Sequence, residues 1–203
     1  MSWNRQPLQS FVSRTSGDGI TLAEAKLFLR VDHSTENDLI EALITASRIW
    51  VERYLRRSLL TETYDFKFRD FPQVYFPLIL RQAPLQSVTS ITYLDQDGAS
   101  QTWASSNYAV RTLAGVTAGR GYVETTNSTE YPATLSEASH PVTVRAVCGY
   151  GAASDIPKGI LSAMYLLIGD LYSQRQETIS GSTSRIETTV RHRLSPYRLS
   201  EVA

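Results

Sequence analysis

The spacing of hydrophobic positions changes twice along the chain: it is helical between about residues 21 and 57, alternating between about 61 and 148, and helical again from about 156. Thr21-Leu22-Ala23-Glu24 reads as a capping box, in which hydroxyl and carboxylate satisfy amides left free at a helix start. Leu22, Ala25, Lys26 and Leu29 continue that helix to about residue 30. Ser34-Thr35-Glu36-Asn37-Asp38 signals a second start, with acids where the helix dipole favours them. Leu39, Ile40, Leu43, Ile44, Ile49, Trp50, Val51, Tyr54 and Leu55 then mark a wide apolar face, predicting a long helix over 36–57. Asp155-Ile156-Pro157 opens a third helix, over 157–174, with proline in its first turn. Its apolar residues, among them Ile160, Met164, Tyr165, Ile168 and Tyr172, fall on more than one side, which predicts burial against the long helix.

Between these helices the period is two. Tyr64, Phe66 and Phe68 alternate with Asp65, Lys67 and Arg69, separating an apolar from a charged strand face. Further strands are expected at 74–80, 88–94, 101–103, 108–110, 121–124 and 142–147, with a hairpin turn at Asp95-Gln96-Asp97-Gly98. Short strands with frequent turns define an antiparallel β-domain, a sandwich or a small barrel. The predicted fold is therefore α+β: a helical bundle core formed by 20–60 and 152–177, interrupted by a β-domain insertion at 61–151. Residues 1–19 lack sustained periodicity and read as a flexible arm, with Trp3, Leu8, Phe11 and Val12 either as anchors or as part of simple disorder. Residues 178–203 read as a polar linker and an extended C-terminal arm.

Composition narrows the function. Twenty Lys+Arg balance twenty Asp+Glu among 203 residues, so the chain lacks the net excess of cations expected of a protein that wraps nucleic acid. Lysine occurs only at Lys26, Lys67 and Lys158; arginine supplies the rest, and with eleven tyrosines this suits protein interfaces as well as it suits the codon habits of a GC-rich genome. The single cysteine, Cys148, excludes an intrachain disulfide and a Cys-based zinc site, and fits synthesis in a reducing cytoplasm. No apolar leader opens the sequence, and its longest apolar run, 160–168, is too short to cross a bilayer, so neither secretion nor a membrane partner is expected.

No catalytic constellation emerges, and no cofactor or metal is called for. His33, His140 and His192 fall in separate loops or termini without metal-binding spacing. Gly115 to Gly121 is glycine-rich but is followed by strand residues rather than a helix, so it reads as a turn. Ser105 and Ser106 lack a neighbouring base, and Asp95 and Asp97 flank a turn where solvation is their ordinary fate. The C-terminal segment looks functional without looking catalytic: Arg191, Arg193, Leu194, Tyr197, Arg198 and Leu199 combine residues that anchor interfaces, the alternative being a tail that folds back on its own domain. A β-domain binding module that takes a carbohydrate or host surface through Trp103, Tyr108 and Tyr122 is the competing reading of function, with a hydrolase using Asp95 or Asp97 behind it.

An ordered series of short segments carries a family likeness. Leu22-Ala23-Glu24-Ala25-Lys26 with Leu29-Arg30-Val31-Asp32, Asp38-Leu39-Ile40 continuing to Trp50-Val51-Glu52, Pro84-Leu85-Gln86-Ser87-Val88, Gly149-Tyr150-Gly151 with Ile156-Pro157, and Pro196-Tyr197-Arg198 resemble the head-to-tail connector (adaptor) proteins of tailed bacteriophages, over roughly residues 20–199. The resemblance implies a non-enzymatic component of the virion neck, made in the bacterial host cytoplasm. It further implies a ring of copies, typically a dodecamer, between the portal protein and a stopper or tail-completion protein, with double-stranded DNA passing through. On that view the arm carrying Arg191 to Leu199 grips the portal, and near-neutral charge lets DNA slide.

Overall fold

In the computed structural model the described residues are 7–72, 76–113, 119–126, 129–173 and 183–199. They form an α+β protein with four α-helices and two antiparallel sheets. The chain divides into two compact units, one of Met1–Arg14 with Thr61–Gly149 and one of Thr15–Leu60 with Tyr150–Ala203.

In the first unit, β1 (Leu8–Arg14), β2 (Glu62–Phe68), β4 (Leu85–Leu94), β5 (Ser100–Thr102) and β8 (Val142–Cys148) make a five-stranded sheet in the order β1-β2-β8-β4-β5. A second sheet takes β3 (Leu78–Ile79), β7 (Tyr122–Thr125) and β6 (Tyr108–Arg111), in that order. Strand β8 shows the alternation that builds this unit: Val142, Val144, Ala146 and Cys148 are buried, while Arg145 between them is exposed. Phe66 and Ile91 from the larger sheet and Leu78 and Val123 from the smaller one share a single buried cluster. Two sheets around one core correspond to the sandwich alternative rather than a single closed barrel. The hairpin turn at residues 95–98 forms as expected, with Gly98 at φ 80° and the Asp95 carboxylate accepting from the amides of Asp97 and Ala99 at 3.1 and 2.8 Å.

The N-terminal arm requires correction. Residues 8–14 pair with β2 from Leu8↔Lys67 to Arg14↔Glu62, with a bulge between Phe11 and Ser13. They were expected to be flexible because an edge strand can be held by its backbone ladder while burying little, and Leu8, Phe11 and Val12 all remain exposed. Residues 1–6, with Trp3, lie outside the described residues. In the strand expected at 74–80, Leu78–Ile79 is a strand, and 74–75 lie outside the described residues.

The second unit holds α1 (Leu22–Leu29), α2 (Asn37–Leu55), α3 (Lys158–Ser173) and α4 (Thr183–Leu194). The capping box is present: the Thr21 hydroxyl accepts from the Glu24 amide at 3.2 Å, and the Glu24 carboxylate accepts from the Thr21 amide at 2.8 Å. Helix α2 starts without a side-chain cap; its first amide, that of Asn37, donates instead to the Ser34 carbonyl at 3.2 Å. Ile40, Ile44, Val51 and Leu55 of α2 meet Ile160, Met164 and Ile168 of α3, with Ala25 of α1 and Val190 and Leu194 of α4 completing the buried cluster. Arg48, itself buried, donates to Asp18 at 2.6 Å and pairs with Glu52, whose other oxygen accepts from the Leu59 amide at 3.0 Å. This tether fixes the segment that precedes α1.

The extended C-terminal arm is the second correction. From Thr183 the chain is helical, and it closes through a 3-10 turn at Ser195–Tyr197. Val190, Leu194 and Leu199 are buried in or against this unit, so the segment folds back on its own domain. The sequence does carry a sign of this: Ile186, Val190 and Leu194 recur every four residues, one narrow apolar line in a stretch whose other positions are polar or charged, four of them arginine or histidine. The linker expected at 178–184 lies outside the described residues up to 182.

Candidate partner-binding surface on the helical unit

Of the six C-terminal residues expected at an interface, some are buried and others exposed. Leu194 is fully buried and Leu199 nearly so, and Tyr197 is half-buried, whereas Arg191, Arg193 and Arg198 are exposed. The leucines are therefore anchors of the segment, and the three arginines form its outer surface.

Helix α2 supplies the base of that surface. Trp50 and Tyr54, four residues apart, stack with ring centroids 5.5 Å apart and planes 6° from parallel. The guanidinium carbon of Arg198 lies 5.3 Å from the Tyr54 ring centroid and that of Arg191 lies 5.9 Å away, both at cation–π distance. The Tyr54 hydroxyl donates to the Arg191 carbonyl at 3.2 Å, tying α2 to α4. Arg193 reaches α3, donating to the Ser162 hydroxyl at 3.2 Å. Trp50 and Tyr54, expected only on the apolar face of α2, belong to this surface as well, and their i, i+4 aromatic spacing beside that face is the sign of it in the sequence.

Beneath the surface sits a buried cation. Arg57 follows the left-handed Arg56 that ends α2, and its Nε donates to the Tyr197 carbonyl at 2.6 Å. Burial lowers the Arg57 pKa from the ordinary guanidinium value, and the neighbouring Tyr150 hydroxyl acts in the opposite sense. The Leu199 amide donates to the Leu55 carbonyl at 3.2 Å, so the turn after α4 is fixed to the end of α2 at two points. Gly159 allows this: a Cβ there would collide with the Tyr197 hydroxyl.

The other candidates do not come together. The ring of His33 lies 3.9 Å from the Glu36 carboxylate, His140 contacts the Ser139 hydroxyl at 3.1 Å, and His192 is exposed on α4. Among the described residues no group of three His, Cys, Asp or Glu side chains could hold a metal ion. Asp95 stabilises its own turn, and its carboxyl is held below the ordinary range first by the Gln101 amide and then by the Ala99 backbone. Ser105 and Ser106 lie in a 3-10 turn. Gly115 to Ala118 fall outside the described residues, while at Gly121 a Cβ would run into Leu85, a packing reason for that glycine. Of the three aromatics expected to take a carbohydrate, Trp103 and Tyr108 are buried, their ring centroids 5.2 Å apart, and Trp103 packs against Phe71 and Tyr131, so these two offer no open face to a sugar, while Tyr122 is half-buried.

The arginines and the Trp50–Tyr54 pair thus form one surface on the helical unit, and no described helix is long and apolar enough to cross a membrane. A family model described as phage gp6-like head-tail connector protein matches residues 19–146, and the chain belongs to that family, whose members are structural components of the virion rather than a class of enzymes. No curated protein sequence matches the chain. Among solved structures, a chain of the virion of a native gene transfer agent particle is similar at TM-score 0.75 and 16% identity, covering 97% of both chains. A chain from the neck of an empty gene transfer agent particle computed with C6 symmetry gives the same values. One from the neck of a native particle computed with C12 symmetry gives TM-score 0.70 and 15% identity, again covering 97% of both chains. These likenesses extend the shared fold over nearly the whole length.

Proposed function

We propose that this chain is a structural adaptor of the virion neck, whose copies close into a ring between the portal protein and the stopper or tail and leave a channel for double-stranded DNA. The helices form a bundle that serves as the body of the ring. Arg191, Arg193 and Arg198 contact the portal protein, while Leu194, Tyr197 and Leu199 hold them in place. The observation that carries this reading is a set of three exposed arginines on a segment seated by buried leucines, in a chain of the head-tail connector family. Such a surface offers planar donors to partner carboxylates and backbone carbonyls at little cost in ordering. Support for the ring comes from similar chains in necks with C12 and C6 symmetry, and balanced charge suits a channel that must release phosphate as readily as it meets it.

The test is attachment. A full chain carrying Arg191→Glu, Arg193→Glu and Arg198→Glu should fold with unchanged circular dichroism and fail to bind portal-bearing capsids. Wild-type attachment by that variant overturns the portal assignment. Electron microscopy of wild-type protein on such capsids should show it as a ring.

A further inference from the structure

Helix α2 is apolar on two opposite sides. Ile40, Ile44, Val51 and Leu55 point into the core. About half a turn away, Leu39, Ala42, Ala46 and Ile49 recur at alternating three- and four-residue spacing and are all exposed, Leu39 by 40% and Ile49 by 37%. A surface helix ordinarily turns polar residues outward, and an exposed strip with this repeat is the seam on which another helix packs. The two alanines at its centre leave a shallow place for large side chains.

The complementary shape is on α1 of the same unit. Leu27 is 82% exposed, and Phe28, 46% exposed, rests against Tyr165 at a ring separation of 5.2 Å, beside Gly169. Charges flank both features. Asp38 and Glu41 are exposed beside the N-terminal half of the α2 strip, whose other end meets the exposed Arg53 four residues after Ile49, and Arg30 follows Leu27 by three residues in the left-handed cap of α1. Among the described residues none of Asp38, Glu41 and Arg30 forms an ion pair within the chain.

From these features we infer that the α2 strip of one copy receives Leu27 and Phe28 of the next, with Arg30 facing the neighbour's Asp38 and Glu41. The inference rests on the ring reading above and supplies its subunit contact. A ring needs two different, mutually fitting patches on each copy, and a strip with a small centre and a projecting apolar pair of opposite flanking charge meet that need. The occupant is thus a second copy of this chain.

Cross-linking of the full chain tests the pairing, because Cys148, its one native thiol, is wholly buried. Leu27→Cys, Ala46→Cys and the double variant are assembled on portal-bearing capsids and treated with a short bis-maleimide. The double variant should give a ladder of covalent multimers and each single variant monomers alone. A covalent dimer from Ala46→Cys alone means that α2 meets α2, which overturns the pairing. Rings in the microscope without a ladder from the double variant overturn it too, and leave the ring reading standing. Absence of rings with wild-type protein overturns both. In a second variant, Ala46→Glu should leave thermal unfolding of the monomer unchanged and weaken assembly about tenfold or more; undiminished assembly overturns the inference.

Discussion

Arg57 donates its Nε–H to the carbonyl oxygen of Tyr197 at 2.6 Å, and at 2% exposure it is among the largest fully buried side chains of the described residues. A charge beyond the end of α2 thereby fixes the turn that presents Arg198. Removing the guanidinium leaves that carbonyl, on the half-buried Tyr197, without this donor. Arg57→Met, which keeps most of the volume, should cost about 1–3 kcal/mol in denaturant unfolding and speed proteolysis between residues 191 and 199. Equal stability and equal proteolysis in variant and wild type would mean that the buried bond contributes nothing.

Truncation separates anchor from surface. A free arm could be cut away from residue 186 onward without disturbing the fold, which is what the sequence leads one to expect. With Val190, Leu194 and Leu199 buried, that deletion instead strips apolar side chains from the core of the helical unit. The chain lacking residues 186–203 should unfold at lower denaturant concentration and bind a hydrophobic dye, while the triple arginine-to-glutamate variant should do neither. A truncated chain as stable as wild type would restore the free arm.

Exposed charge on the sheet has its own pH signature. Arg145 of β8 grips Asp65 of β2 through two bonds of 2.8 Å, and this hydrogen-bonded partner is the first cause that holds the Asp65 carboxyl below its ordinary value. Since the folded-state pKa is depressed, the stabilisation is present above the unfolded value of about 4 and is lost as pH falls through the folded one. Arg145→Gln should therefore melt below wild type at pH 7, and the gap should narrow as the solution is acidified below about pH 4. A gap that stays constant down to pH 2 would assign the loss to packing instead.

What the sequence could show follows from how each element is held. Helix α2 and strand β8 bury a regular face, so their periods of Ile40, Ile44, Val51 and of Val142, Val144, Ala146 are written in the chain. Strand β1 depends on a partner distant in sequence, the backbone ladder of β2, while helix α4 shows only the narrow line Ile186, Val190 and Leu194, of which Val190 and Leu194 fit the core of the other helices. The site was half legible for the same reason. Its arginines are conspicuous in composition, but their seat on Tyr54 joins residues 137 and 144 positions apart, and the burial of Trp103 and Tyr108 required an aromatic cluster that no local pattern announces.

Cys148 closes β8 with its thiol in the core of the β-unit, where burial first, and then the nearby Glu62 carboxylate, push its pKa up to about 12. Thiolate is the reactive form, and at pH 8 a thiol of that pKa supplies only about one part in ten thousand of it, behind a wall of packed side chains. Labelling by an aromatic disulfide reagent should be negligible in the folded protein and complete in denaturant, with a rate that follows opening of the β-unit. The same measurement reports which unit fails first. If the helical unit of Arg57→Met loosens on its own, Cys148 should stay protected while proteolysis at residues 191–199 rises; labelling that rises in step with proteolysis would show that the two units unfold as one.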